Sequence, residues 1–173
     1  MLHELTSRRK RTGVALMLAL LLAPIVIGAT REEDFAAPYR ILRDANRTLS
    51  PDLAASAYAD GAKLIFEQGE RSEMFQGKSD IRYAFERSFG QVDPGTPIKL
   101  EFRFPTRVPA SERHSGAYRL VATVGGKAVV NHGAFTVRLT KQDGMWRFAE
   151  DRGRVIAAEE FESLPPADLD APQ

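Results

Sequence analysis

The 173-residue chain contains no cysteine. That excludes disulfides, thiolate metal sites, a cysteine nucleophile and lipid attachment to a cysteine behind a leader. Histidine is nearly as scarce: there are three, and His3 lies near the N-terminus. No histidine-built metal centre is expected, and no cofactor. Net charge is small too, at +1. Four positive charges stand together at Arg8, Arg9, Lys10 and Arg11, and without them the remainder is slightly acidic. No basic field is left to hold a nucleic-acid backbone, so no nucleic-acid partner is expected. Internal repeats are missing as well. What remains is an ordinary globular mixture, 43% hydrophobic and 27% charged, enough for one domain with a core.

Behind the basic block, residues 12–30 read TGVALMLALLLAPIVIGAT, without a charge. A basic start, an apolar run and a small residue at Ala29 fit a secretory signal. As a helix the same run reaches about 28 Å at ~1.5 Å per residue, long enough to stay in a membrane as an anchor. Pro24 would kink that helix without forbidding it. Residues 1–30 are therefore expected to be a signal peptide or an N-terminal membrane anchor. Either way the basic block stays inside and the rest crosses. The expected location is the cell envelope, on the periplasmic or secreted side, with membrane contact only through residues 12–30.

Residues 31–50 place Phe35, Tyr39, Ile41, Leu42, Ala45 and Leu49 at helical spacing. Ser50-Pro51 restarts the chain, serine as cap and proline in the first helical position. A short second helix follows, then a strand over AKLIF and a third helix opened by Gly77. After Asp93-Pro94-Gly95 the period becomes two. Residues 97–108 alternate Ile98, Leu100, Phe102 and Phe104 with Lys99, Glu101 and Arg103. Two long strands, 113–124 and 127–140, flank the hairpin signal Gly125-Gly126. A last strand, MWRFAEDRGRV, follows the turn at 141–144. The layout predicts an α+β fold, with helices packed on one face of a strongly curved, mostly antiparallel sheet. Residues 31–160 form the domain, and 161–173, rich in Pro, Asp and Ala, are expected to be a disordered tail.

The segment LAASAYADGAKLIFEQGERSEMFQGKSDIRYAFERSF, residues 53–89, resembles the N-terminal half of the nuclear transport factor 2-like superfamily, which includes SnoaL-like and ketosteroid isomerase-like proteins. The likeness rests on aromatic-Ala-Asp-x-Ala before the first strand, on Gly77 ahead of a helix carrying Ile81 and Phe85, and on Asp-Gly-x-Trp-x-Phe at 143–148. It spans about residues 34–158. It implies a cone with an internal cavity, often paired through the outer surface of the sheet. Members include isomerases, dehydratases, cyclases, epoxide hydrolases and non-catalytic binding modules, so fold alone does not choose. Carried over residue by residue, the isomerase base falls on Phe66, the oxyanion tyrosine near Leu42 and the second aspartate near Phe135. Proton abstraction beside a carbonyl needs a base and an oxyanion donor, and these three side chains supply neither. The reading therefore leans against an enzyme. Asp60, the motif aspartate, reads first as a turn residue beside Gly61.

Strand register then places side chains. A two-residue loop at Gly125-Gly126 sets Leu120 opposite Asn131, Tyr118 opposite Gly133 and His114 opposite Val137. A four-residue turn at 141–144 sets Phe135 opposite Glu150 and Gly133 opposite Arg152. Parity puts all of these on the buried face. Tyr118, Asn131, Arg152 and Trp146 are the expected ligand-binding residues at a cavity mouth. Asp60 and Glu150 are the only candidate catalytic carboxylates, and no catalytic residue is assigned. A bulge in the last strand would reverse the parity and move Glu150 and Arg152 outside. The opposite face carries Ala117, Arg119, Val121, Val130, His132, Ala134, Thr136 and Arg138, and its small apolar centre suits a homodimer. Three functions stay open: a module that binds a small apolar or acidic molecule without turnover, a SnoaL-like hydrolase, dehydratase or cyclase using Asp60 or Glu150, and an envelope interaction module acting through the outer sheet face.

Overall fold

The computed structural model describes residues 33–106 and 108–171. The leader expected over residues 1–30 lies outside them. Among the described residues no helix is long and apolar enough to cross a membrane.

The chain builds α1 (Ala37–Thr48), α2 (Pro51–Ser56), β1 (Tyr58–Gln68), β2 (Arg71–Gln76), α3 (Gly77–Phe89), β3 (Lys99–Arg103), β4 (Arg113–Val124), β5 (Lys127–Gln142), β6 (Met145–Val155) and α4 (Ala158–Glu162). The strands form one sheet in the order β2-β1-β6-β5-β4-β3. Every neighbouring pair is antiparallel except β1 with β6. This is the expected α+β class.

Local chemistry explains the helical half. In α1 the buried side chains Pro38, Tyr39, Leu42, Ala45 and Asn46 recur at three- and four-residue intervals and form one stripe. Ser50 caps α2 by accepting a hydrogen bond from the Leu53 amide at 3.2 Å, and Pro51 takes the first turn. The α1 stripe and one side of α3 cover the inner face of the sheet. One further strand, β2, was not evident in the sequence. It is largely exposed and buries only Phe75, so its polar alternation has no apolar partner row.

The β4–β5 register is the predicted one, Leu120 with Asn131, Tyr118 with Gly133, His114 with Val137. The β5–β6 register differs, for two reasons. The turn is two residues, Asp143-Gly144, with Gln142 paired to Met145 and both turn residues at positive φ (52° and 77°). In addition, Leu139 pairs with Phe148 while Arg138 pairs with Glu150, so Ala149 is an extra, bulged residue. Beyond Ala149 the parity inverts. Val137 pairs with Asp151 and Phe135 with Gly153, while Glu150 and Arg152 point outward.

Residues 161–171 correct the expectation of a disordered tail. Phe161 is fully buried on the outer face of the sheet. The Arg103 guanidinium lies 4.3 Å and that of Arg119 5.2 Å from its ring centroid, and the His132 ring is 5.3 Å away. Further along, the Ala167 amide donates to the Phe102 carbonyl at 3.0 Å and Arg40 donates to the Leu169 carbonyl at 2.7 Å. Apolar Phe161 and Leu169 anchor a segment whose polar composition masks them. Ala117, at the centre of the expected pairing surface, is already fully buried within the one chain.

Phe161→Ala is expected to cost about 3–5 kcal/mol in urea unfolding, the range for truncating a buried phenylalanine, and a loss below about 1 kcal/mol would mean that the segment is undocked in solution.

Candidate functional site

Between the inner face of the sheet and the helices lies a cavity of about 350 Å³. Its wall is largely aromatic, with Tyr39, Tyr58, Phe102, Phe135 and Phe148 at depth and Tyr118 higher up. The residues at its rim are exposed: Phe66, Arg87, Ser88, Gln91 and Asn131. The positions that the isomerase resemblance would make catalytic, Leu42, Phe66 and Phe135, all line this cavity as apolar side chains.

Among the described residues one carboxylate lines it, Asp151. It sits in the row Leu64–Asp151–Val137, between two buried aliphatic neighbours. The residue is half-buried and lines the cavity. Its Oδ2 accepts a hydrogen bond from the Tyr58 hydroxyl at 2.7 Å. Among the described residues no cation pairs with it. Burial pushes its pKa up to about 6, with the Tyr58 bond opposing the rise. The Tyr58, Tyr39 and Tyr118 hydroxyls are all raised, first by burial and then by the charge of Asp151.

Tyr118 reaches over the cavity because Gly133 stands opposite. A Cβ at 133 would come within 2.3 Å of the Tyr118 ring. Beneath the floor, the Nε2–H of His114 donates to the Ser111 carbonyl at 2.8 Å. Its Nδ1 therefore accepts from the Tyr39 hydroxyl at 2.8 Å. Burial pushes the His114 pKa down, so the ring is a neutral prop for Tyr39.

The expected site residues divide. Tyr118 and Asn131 line the cavity. Arg152 does not: it lies on the outer face, bonded to Glu67 at 2.6 Å and near Glu150 at 3.7 Å. Trp146 is inward but lies at the far end, pairing with Lys141, ten positions along β5 from Asn131, or roughly 33 Å at ~3.3 Å per residue. There it stacks on Phe35 at 4.6 Å and donates to Glu33. Asp60 is an exposed strand residue paired with Lys78 at 2.7 Å, which lowers its pKa, and Gln142 donates to it at 2.8 Å. Neither Asp60 nor Glu150 reaches the cavity. Asp151 and Tyr58 were missed because unbroken alternation turns Asp151 outward. The available signal was three consecutive polar residues, 150–152, in a strand that must bury one face.

No protein-family profile matches this chain, and no curated relative matches it in sequence. Solved structures do share its fold. Aln2 from a Streptomyces species is 16% identical, with TM-score 0.58, covering 70% of this chain and 88% of its own. A protein of ketosteroid isomerase-like fold from Catenulispora acidiphila, solved with trimethylamine, is 9% identical, with TM-score 0.54, covering 73% and 89%. A hexachlorocyclohexane dehydrochlorinase is 15% identical, with TM-score 0.51, covering 75% and 83%. At these identities the likeness concerns the fold, which is the nuclear transport factor 2-like, ketosteroid isomerase-like cone.

The raised carboxyl has a stability consequence with a definite sign. Between about pH 4 and 6 native Asp151 holds a proton that the unfolded chain has released, so stability falls as pH rises through that window. The full penalty, from 3.8 to about 6, is on the order of 3 kcal/mol. Asp151→Asn is expected to gain up to about 3 kcal/mol over the parent at pH 8 and little at pH 4, in urea titrations at the two pH values. Equal gains at both would show that the carboxyl is not held in an unfavourable charged state.

Proposed function

We propose that this chain binds a small, largely apolar molecule inside the cone, with Asp151 and Tyr58 gripping its polar group. The observation that carries this reading is the cavity itself, about 350 Å³ of mostly apolar wall around a single carboxylate. Small-ligand sites have that composition and size. Tyr118 and Asn131 stand nearer the rim, where a second polar group on the ligand would meet them. On the basic block and the apolar run alone, we further propose that the protein is exported to the cell envelope.

A second reading, proton transfer, is favoured by the Asp151 pKa of about 6. A carboxylate that titrates near neutrality, in a largely apolar cavity with a tyrosine hydroxyl beside it, is suited to act as a general base or acid. Asp151 takes the place that Asp60 and Glu150 held in the hydrolase and dehydratase alternative, because both lie outside the cavity. One neighbour of the same fold is a hexachlorocyclohexane dehydrochlorinase.

Native mass spectrometry of the full-length protein expressed in a bacterial host tests binding and export together. The expected result is a mass lacking the leader, or a membrane-retained full mass, carrying a non-covalent small molecule. That molecule should be absent from Leu120→Trp, which fills the space beneath the rim. Retention of the same adduct by Leu120→Trp would place the molecule elsewhere.

Proton transfer is read separately with 5-nitrobenzisoxazole, whose ring opens when a base removes one proton. The rate is expected to rise with pH through about 6, as Asp151 ionises, and to fall at least tenfold in Asp151→Asn. A pH-independent rate that survives the substitution would leave only the binding reading.

A further inference from the structure

We propose that the ligand is a small organic cation, an amine or quaternary ammonium on an apolar body, with its nitrogen seated against Asp151 among the aromatic rings. The inference rests on the cavity-binding reading above and narrows it to one chemical class.

The charge pattern around the cavity carries the argument. Neighbouring carboxylates have cationic partners: Asp60 has Lys78, Glu67 has Arg152, and Glu73 has Arg87. Asp151, the most enclosed of these, has none among the described residues. The Tyr58 hydroxyl engages its Oδ2, and the residue lines the cavity. Buried carboxylates are ordinarily paired, because a lone ionised one in an apolar setting is costly. No described residue supplies the positive charge, and a cationic guest in the cavity would.

The wall is built for such a guest. Tyr58, Tyr39, Phe135, Phe148 and Tyr118 surround the space. The faces of such rings attract ammonium groups, and rings with a carboxylate form a site that neutral molecules do not need. Arg87, the only cation lining the cavity among the described residues, is at the rim and already held by both oxygens of Glu73 at 2.8 Å. The cavity thus presents a net negative charge. A neutral alcohol or carbonyl could bond Asp151 but would leave its charge uncompensated. An anion would meet that charge directly.

The test is calorimetric titration of the purified full chain with two probes of equal shape. Benzyltrimethylammonium is the cation, and neopentylbenzene, with carbon in place of nitrogen, is the neutral isostere. The expected result is at least tenfold tighter binding of the cation than of the isostere, a preference that is lost in Asp151→Asn. Phe135→Leu, with the carboxylate intact, is expected to weaken the cation severalfold and the isostere much less. Equal or tighter binding of neopentylbenzene to the parent protein overturns the cation proposal while the cavity reading stands. Binding of neither probe overturns both, and that comparison needs no variant to fold.

Discussion

The inward turn of Asp151 depends on one extra residue, Ala149, in β6. In an unbroken strand that shares an inner face with Phe148, residues 150 and 152 would point into the cone and 151 would point out. The bulge reverses this just past Phe148. The neighbouring strand is irregular at the same level: Tyr58 pairs with Phe148, and the next partners are Lys63 and Glu150. Four residues of β1 are thus set against one of β6. The two irregularities lie side by side, and Tyr58 and Asp151 meet across them. Bulges concentrate where a sheet must re-aim a side chain, and here both work on the same pair. Asp60 belongs to the β1 irregularity. Its bonds to Lys78 and Gln142 fasten that loop of strand from outside, a structural duty for the motif aspartate.

The cavity is kept open by aromatic rings that brace one another. Tyr39 meets Phe102, Phe104 and Phe148 edge to face, at 5.0 to 5.3 Å between centroids. Its hydroxyl is fixed by a neutral histidine held in turn by a backbone carbonyl. A floor built this way cannot collapse into the space above without breaking both ring contacts and hydrogen bonds. Small residues complete the design where ring and backbone must approach, as Gly133 does beneath Tyr118.

Much of this was legible in the sequence, and what was not has specific causes. Gly125-Gly126 fixed the β4–β5 register, because a two-residue loop leaves no freedom and parity propagates from it. Tyr118 and Asn131 followed correctly into the cavity. Ser50-Pro51 and Gly77 marked helix starts through their own backbone chemistry. Arg152 and Glu150 went to the wrong face because the bulge at Ala149 inverts the alternation, and its one trace in the sequence is the polar run 150–152. Asp143-Gly144 was readable as a tight turn, but the longer turn 141–144 obscured it. Tail residues 161–171 read as disordered because Phe161 and Leu169 are their only buried apolar side chains, and further attachment is through backbone groups. Two such residues among acids and prolines fall below what composition can register.

Holding a carboxylate in that setting weakens the native state wherever Asp151 is ionised. An asparagine of nearly the same shape would fold without that charge, and a valine would extend the row of Leu64 and Val137. A residue that costs stability and braces nothing but one tyrosine is most economically explained by what it meets when the cavity is filled. Any guest that binds the ionised form better than the neutral one pulls the Asp151 pKa back down. It thereby returns to the native state the stability that the empty site gives up. On the proposed binding reading, ligand affinity and folding stability are linked through a single carboxyl group, and the strength of that link measures how directly the guest touches it.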